Sequence, residues 1–120
     1  RDLLIVDAGL NDFLRPALYG TSHRIVAAEE RGGERQVVDI VGPICESSDV
    51  FGVECDLPDV RPGARLVILD TGAYGMSMSG NYNSRCRPAE IWVTGGGRVN
   101  LIRRRETPED LVITELKGSL

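Results

Sequence analysis

The chain has 120 residues, a length that suits one domain. Hydrophobic residues make up 42% of it and charged residues 27%, which is typical of a soluble globular protein, and no apolar run approaches the roughly 20 residues that a membrane helix needs. The net charge of −4 gives no electrostatic reason to bind nucleic acid or an anionic membrane, and we interpret the basic cluster at residues 103–105, which acidic residues follow, as a solvated strand end.

The first half of the chain predicts strands. Its apolar runs are short, rich in β-branched residues and separated by Gly, Pro, Asn and Asp, which favours strands over long helices. A first strand is expected at residues 3–6. Apolar runs at residues 23–30 and 36–42 flank a Gly-Gly pair, and this pattern predicts a β-hairpin. In residues 51–58, Val and Cys alternate with Glu and Asp, as expected for a strand with one polar face.

The second half predicts two further strand regions and a helix. Residues 66–69 are apolar at every position, which predicts a strand buried on both faces. Residues 90–93 and 98–105 flank Thr-Gly-Gly-Gly and predict a second hairpin. Residues 107–117 predict a helix, because Thr107 can serve as the N-cap, a proline follows at the first helical position and the first turn is acidic.

The fold class follows from this count of elements. Little helix is expected, since residues 11–20 and 71–80 have room for one helical turn each. Six or seven short strands with tight turns indicate one mostly-β domain, organised as a closed or nearly closed β-barrel or as a sandwich, with one or two short helices.

The cysteine pattern indicates a reducing compartment. Cys45, Cys55 and Cys86 are an odd number and have no close-paired spacing, which argues against a disulfide framework and against a zinc site. A cytoplasmic location fits best. The chain opens inside an apolar run and lacks the pattern of a signal peptide, so we expect it to be a piece of a longer protein.

Cys45 is the first candidate functional residue. It follows a Gly-Pro turn and precedes Glu46 and a Ser-Ser-Asp cluster, which predicts an accessible thiol. Such a thiol could be a nucleophile, a general acid or a metal ligand. A nucleophile needs a base, and nothing in the sequence places the single histidine, His23, beside it. A general acid needs no partner. Glu46 could hold a cationic group of a ligand.

Two other segments offer binding groups. Arg15 and Tyr19 are four residues apart, so on a helix they share one face and can converge on one anion, for which the planar guanidinium of arginine is suited. Tyr74 lies between Gly72 and Gly75, an arrangement that lets an aromatic ring approach a flat ligand or another chain. The alternative for the first pair is a surface arginine at position 15 and a half-buried tyrosine at position 19. For the second segment it is a glycine-rich turn in which Tyr74 is a packing anchor.

Three segments together resemble the diaminopimelate decarboxylases, which belong to the alanine-racemase-like group of enzymes that use pyridoxal 5′-phosphate (PLP). The segments are residues 6–23 with RPALY, residues 41–52 with CESSD and residues 70–93 with GAYG. They occur in the family's order and spacing, and the likeness runs over residues 6–109.

The resemblance implies a domain organisation. Enzymes of this family have an N-terminal PLP-binding (β/α)₈ barrel and a C-terminal β-domain, and this chain is similar to the second alone. A small Greek-key-like β-barrel or sandwich, like the C-terminal domain of alanine racemase, is therefore expected over residues 1–120. The resemblance further implies a homodimer whose active sites lie between subunits, with PLP bound mainly by the barrel.

Roles for the candidate residues also follow from the resemblance. Cys45 would donate a proton to the carbon that loses CO₂, across the subunit interface. Glu46 would hold the distal ammonium of the substrate, and Arg15 with Tyr19 would hold its distal carboxylate. Tyr74 would lie against the cofactor and the substrate. No metal is implied. The expected reaction is the decarboxylation of meso-2,6-diaminopimelate to L-lysine.

Two alternatives stay open. Gly80 stands where many relatives have a less flexible small residue, which could mark a decarboxylase of another basic amino acid. Because Arg15 and Tyr19 are present, we favour diaminopimelate over ornithine or lysine. The second alternative is a non-catalytic dimerisation domain, since fold and function can separate.

Overall fold

The computed structural model describes residues 2–29, 32 and 34–115. These residues fall into two compact units, one that ends at Ser79 (unit 1) and one that begins at Gly80 (unit 2). Unit 1 contains, in chain order, β1 (Asp2–Ile5), α1 (Arg15–Tyr19), β2 (Ile25–Ala27), β3 (Arg35–Val41), β4 (Val50–Pro58), β5 (Leu66–Ile68) and a 3₁₀ turn (Met76–Met78). Unit 2 contains a 3₁₀ turn (Tyr82–Ser84), β6 (Glu90–Val93), β7 (Val99–Arg103) and α2 (Pro108–Leu111).

The core of unit 1 lies on one face of a three-stranded sheet with the order β1-β3-β4. β1 pairs in parallel with β3, and β3 pairs antiparallel with β4. Alternate positions of β3 face the core, where Ile40 is 1% exposed. The buried cluster consists of Phe13, Ile25, Val38, Ile40, Phe51 and Leu57.

The predicted first hairpin is wrong. β2 pairs antiparallel with β5, not with β3, and Ile25 lies opposite Ile68. A Gly-Gly pair reports only that a turn is locally possible, whereas the pairing of a strand is decided by which partner lets it bury its apolar side. Ile25 is buried in the core next to Ile68, and this burial favours the distant partner.

Two predictions about burial also need correction. Val67, at the centre of the run predicted to be buried on both faces, is 39% exposed, because β5 is one strand of a two-stranded sheet. The alternation in β4 is interrupted at Glu54, whose φ is 53° and whose N–H donates to a carboxylate oxygen of Asp39 at 2.8 Å. Val53 and Glu54 are consequently both exposed, as expected at a β-bulge.

Unit 2 confirms the second hairpin and the helix start. β6 and β7 pair antiparallel around the glycine-rich turn. At the start of α2, the backbone N–H of Thr107 donates to the Asp110 carboxylate at 2.7 Å, which is one half of a capping box. The helix ends at Leu111, well before the end of the predicted stretch. Residues 116 and 117 of that stretch lie outside the described residues.

A polar cluster joins the segments on either side of the hairpin of unit 2. The Glu106 carboxylate accepts from the Arg87 backbone N–H at 2.7 Å, from Arg87 Nη1 at 2.9 Å and from Asn81 Nδ2 at 2.6 Å. Arg87 Nη1 also donates to Asn81 Oδ1 at 2.8 Å. These bonds lower the pKa of Glu106, first through the Arg87 backbone N–H and then through Asn81.

The mostly-β fold class is confirmed, with two short α-helices. Over the described ranges the strands form one three-stranded and two two-stranded sheets, none of which closes into a barrel. No helix in the described part of the chain has the length and apolar character needed to cross a bilayer.

Candidate active site

Helix α1 places Arg15 and Tyr19 on one face, as predicted. A proline follows Arg15 in the first turn, and Gly20 ends the helix with a left-handed φ of 64° while its N–H donates to the Pro16 carbonyl at 2.9 Å. The Arg15 guanidinium carbon lies 5.6 Å from the centroid of the Tyr19 ring. One helical turn therefore presents a cation beside an aromatic ring and a hydroxyl.

Tyr74 approaches the same guanidinium from a different segment. Its ring centroid lies 5.4 Å from the Arg15 guanidinium carbon, and 57% of the residue is exposed. Its backbone has a φ of 64°, which is unusual for a bulky residue. The next residue, Gly75, is buried, and an added Cβ there would collide with the Thr71 carbonyl oxygen. The tight turn thus presents the ring at a cost in backbone strain, a feature that concentrates at functional sites.

Cys45 and Glu46 lie on an exposed loop between β3 and β4. Both residues are exposed, and the loop is made of bends and a turn. Two short-range bonds shape it: the Glu46 N–H donates to the Ile44 carbonyl at 2.8 Å, and the Asp49 N–H donates to the Glu46 carbonyl at 3.1 Å. The thiol is accessible from solvent, as the Gly-Pro turn predicts. The two ring contacts that bring Arg15, Tyr19 and Tyr74 together involve neither Cys45 nor Glu46.

Asp49 is the residue that sequence reasoning missed. It is 3% exposed, and its two carboxylate oxygens accept from the backbone N–H groups of Ile44 and Leu10, each at 2.7 Å. Ile44 immediately precedes Cys45, and Leu10 belongs to the turn that leads into α1. A single sequence offers only a weak signal for this role, namely a short acidic side chain that follows a turn and precedes an apolar strand.

His23 is engaged away from the cysteine loop. Its Nδ1 lies 3.0 Å from the Leu69 carbonyl oxygen, and its ring packs edge-on against Phe13 with centroids 4.8 Å apart. The His23 ring is therefore a packing group of the unit 1 core. This arrangement agrees with an acid role for Cys45 that needs no histidine.

The other cysteine of unit 1 differs from Cys45. Cys55 is half-buried in β4, and its pKa is raised, mainly by burial and secondarily by the Asp39 carboxylate. A raised pKa makes a thiol less nucleophilic at neutral pH. Within the described ranges, no group of three or more His, Cys, Asp or Glu side chains is placed to hold a metal ion.

The site offers one wall for a planar, anionic ligand. The exposed Tyr74 ring can pack on a flat heterocycle, and the Arg15 guanidinium beside it can donate two parallel hydrogen bonds to a carboxylate. The sequence contains one lysine, Lys117, which lies outside the described residues. The described residues therefore include no lysine amine that could bond covalently to such a ligand.

Comparison with known proteins identifies the family. Residues 1–72 match the family described as "Pyridoxal-dependent decarboxylase, C-terminal sheet domain". The chain is 47% identical to the diaminopimelate decarboxylase of Helicobacter pylori over 116 residues, and 48% identical to that of Escherichia coli K12 over 128 aligned positions. The matches cover 96% and 97% of this chain but 28% and 30% of those relatives, so the chain spans less than a third of their length.

Solved structures give the same result. The diaminopimelate decarboxylase of Methanocaldococcus jannaschii in complex with L-lysine is 45% identical and matches with a TM-score of 0.90 over 97% of this chain and 26% of that one. The lysine/ornithine decarboxylase of Vibrio vulnificus, at 23% identity and a TM-score of 0.63 over 71% of this chain, shares the fold. The predicted resemblance is confirmed: this chain belongs to the family of C-terminal sheet domains of pyridoxal-dependent decarboxylases.

Proposed function

We propose that this chain is the C-terminal domain of a PLP-dependent decarboxylase that converts meso-2,6-diaminopimelate to L-lysine. The observation that carries the proposal is the convergence of Arg15, Tyr19 and Tyr74 on an exposed surface. The proposal gains support from relatives named diaminopimelate decarboxylase that are 47–48% identical to nearly the whole chain. A biosynthetic enzyme of this kind acts in the cytoplasm.

The chemistry of the substrate fits these side chains. Diaminopimelate carries an ammonium and a carboxylate at each end, and the end that does not react must be recognised. The Arg15 guanidinium and the Tyr19 hydroxyl bind its carboxylate, and the exposed Glu46 carboxylate binds its ammonium. L-Lysine keeps both of these groups, and relatives from two organisms are described in complex with L-lysine. Ornithine and lysine as substrates would lack the distal carboxylate.

Cys45 holds the proton that completes the reaction. When bound, PLP supplies the electron-withdrawing ring that allows CO₂ to leave from the substrate. The Cys45 thiol then protonates the carbon that lost CO₂, so that a C–H bond replaces the C–C bond and Sγ becomes a thiolate that is reprotonated from solvent. Its exposed position on the loop suits a role in a cavity formed with another polypeptide surface. Tyr74 would lie against the bound cofactor and exclude water from that side of the site.

The principal test replaces the thiol in the full-length enzyme. We expect Cys45→Ala to lower the rate of lysine formation by about 100- to 10,000-fold, the range of general acid catalysis, with PLP absorbance unchanged. Cys86→Ala is the matched control, because Cys86 is a half-buried thiol of unit 2, and should leave turnover intact. Normal turnover in Cys45→Ala would rule out the acid role.

A second test separates the candidate substrates. Arg15→Gln should lower kcat/KM for diaminopimelate by about 100-fold or more, because a charged partner of a desolvated carboxylate is lost. Arg24→Gln, at an exposed position of unit 1, is the control. Wild-type turnover of ornithine or lysine that exceeds that of diaminopimelate would instead favour a decarboxylase of those substrates. If no amino acid is decarboxylated, a non-catalytic dimerisation domain becomes the better proposal.

A third test addresses the shared active site. We mix two inactive full-length subunits, one with Cys45→Ala and one that lacks the lysine of the barrel that binds PLP. If each site combines the barrel of one subunit with the β-domain of its partner, random exchange restores about a quarter of wild-type activity, because half of the dimers then contain one intact site. If the mixture stays inactive after exchange, the site is not shared.

A further inference from the structure

We infer that Asp49 is a positioning residue that holds the Cys45 loop and the segment leading to Arg15 in one fixed arrangement, an inference that rests on the proposed function. Asp49 is 3% exposed, so its carboxylate is held inside unit 1 and away from solvent. A buried carboxylate is stable only where hydrogen-bond donors replace water. Its donors are backbone N–H groups from two separate segments.

The first oxygen closes the Cys45 loop. Oδ2 accepts from the Ile44 N–H at 2.7 Å, and the Asp49 carbonyl accepts from the Gly42 N–H at 2.9 Å. The Asp49 N–H itself donates to the Glu46 carbonyl at 3.1 Å. The bonds from Ile44 and Gly42 to Asp49 thus close the loop that contains Cys45.

The second oxygen ties this loop to the approach to α1. Oδ1 accepts from the Leu10 N–H at 2.7 Å, across 39 positions of sequence. Leu10 lies in a turn that Asp12 stabilises by accepting from the Gly9 N–H at 2.8 Å, and the turn continues through Phe13 into α1. Because α1 starts at Arg15, the Asp49 carboxylate links the loop that carries Cys45 to the helix that carries Arg15 and Tyr19.

Two glycines make room for this contact. A Cβ placed on Gly42 would lie 2.6 Å from both Cγ and Oδ1 of Asp49. A Cβ placed on Gly9 would lie 2.7 Å from Ile44 Cγ1. Real Cβ atoms do not approach other heavy atoms this closely, so the missing side chains allow the two segments to meet.

The arrangement requires a carboxylate and not merely a polar side chain. Asparagine has the same shape but only one accepting oxygen, so its amide NH₂ would face either the Ile44 or the Leu10 N–H. One segment would then lose its partner and shift. A displacement of about 1 Å in groups that act on the reacting atoms can cost roughly 100-fold in rate.

The experiment measures turnover per bound PLP in the full-length holoenzyme. We expect Asp49→Asn to lower kcat per PLP site by about 10- to 100-fold and to raise the KM for diaminopimelate, with PLP absorbance retained. Asp59→Asn, an exposed aspartate of unit 1, is the control and should leave both constants unchanged. A purely structural role for Asp49 would lower the amount of folded enzyme but leave kcat per PLP site and KM at wild-type values, and that result would overturn the inference.

Gly42→Ala provides a second variant in case Asp49→Asn folds poorly. It keeps the carboxylate but crowds it, so we expect a loss of kcat of the same size as in Asp49→Asn. In a protein that already carries Asp49→Ala, adding Gly42→Ala should lower kcat little further, because the new methyl group no longer meets a carboxylate. Normal turnover in Gly42→Ala would also overturn the inference. A loss in Cys45→Ala without a loss in these variants defeats the positioning role alone. Normal turnover in Cys45→Ala defeats the acid role of Cys45 and the inference with it, whereas a wild-type enzyme that forms no lysine from diaminopimelate would defeat the proposed function itself.

Discussion

The two units of the chain are stabilised in different ways. Unit 1 contains all residues of the hydrophobic cluster, and Val38, Ile40 and Leu57 are at most 2% exposed. In unit 2, the described residues include no buried side chain, and the hairpin of β6 and β7 leaves six large apolar residues 55–64% exposed: Ile91, Trp92, Val93, Val99, Leu101 and Ile102. An isolated two-stranded hairpin is at best marginally stable in water.

Polar contacts replace apolar burial in unit 2. The Glu106 carboxylate accepts hydrogen bonds from Asn81 and Arg87, and Arg104 donates two hydrogen bonds to Asp110 at 2.6 and 2.7 Å. Such contacts fix local geometry but contribute less stability than burial of a side chain. Unit 1 can therefore support a preorganised site, whereas unit 2 depends on bonds that pH and salt can weaken.

The largest effect is expected in the core of unit 1. Ile40→Ala should lower the free energy of unfolding of unit 1 by about 2–5 kcal/mol, because it removes buried methyl groups and leaves a cavity. The measurement is hydrogen exchange of the β3 and β4 amides in the full-length protein. Leu101→Ala, at a position 64% exposed in unit 2, is the contrasting variant and should change the free energy of unfolding by less than about 0.5 kcal/mol. Equal effects at the two positions would remove the distinction between the units.

The next effect concerns the polar cluster of unit 2. Glu106→Gln should increase exchange at the Arg87 amide roughly tenfold, because the charged acceptor of that N–H becomes neutral. Glu115→Gln, an exposed residue of the same unit, is the control. Unchanged exchange at Arg87 would show that the cluster is dispensable.

The pH dependence of unit 2 follows from the same carboxylate. The pKa of Glu106 is lower in the folded chain than its ordinary value near 4.5, so the unfolded chain takes up a proton first as the pH falls. The stabilisation is therefore present above pH 4.5 and is lost as the pH drops through the folded pKa. Fluorescence of the single tryptophan, Trp92, reports this loss in unit 2, and Glu106→Gln should weaken the pH dependence. A titration identical in both proteins would contradict this assignment.

Unit 1 should respond at the opposite end of the pH scale. The pKa of Cys55 is raised above its ordinary value near 9.0, so the unfolded chain loses its thiol proton first as the pH rises. The stabilisation from this group is present below pH 9.0 and is lost as the pH rises through the folded pKa. Alkylation of Cys55, followed by mass spectrometry across pH, should reach its midpoint above that of a peptide with the same local sequence. A midpoint at or below the peptide value would contradict the burial of this thiol.

The smallest effect is expected at the start of α2. Thr107→Ala should destabilise the helix by about 0.5–1 kcal/mol, because the N-cap side chain is lost from an exposed, four-residue helix. Exchange of the α2 amides measures the change, which should not spread to unit 1. Thr107→Ser keeps a hydroxyl and should be close to wild type.

Sequence reasoning succeeded where structure is local. Residues 11–20 were expected to hold one helical turn, where α1 lies, Thr107 predicted the start of α2, and the glycine-rich turn predicted the hairpin of unit 2, because each signal lies within or next to the element it specifies. The pairing of β2 with β5 was missed because it depends on burial against strands that are distant in sequence.

The candidate site follows the same division. The shared face of Arg15 and Tyr19 could be predicted from their spacing, since a helix of known period sets it. The approach of Tyr74 to Arg15 could be suspected only through the family resemblance, and the role of Asp49 could not be predicted, because the sequence does not show that Leu10 lies next to it. The catalytic role of Cys45 and the binding roles of Arg15, Tyr19, Glu46 and Tyr74 stay predictions.

The long-range pairing in unit 1 has a consequence for how the protein is made. Ile25 must find Ile68, and Leu4 must find Ile40, so the core cannot close until residue 68 has left the ribosome. Strand pairs of such high contact order form slowly, and their apolar edges stay exposed until the pairs have formed. The nascent chain therefore passes through a window in which β1 and β2 are synthesised but unpaired, and chaperone capture during translation should be concentrated there.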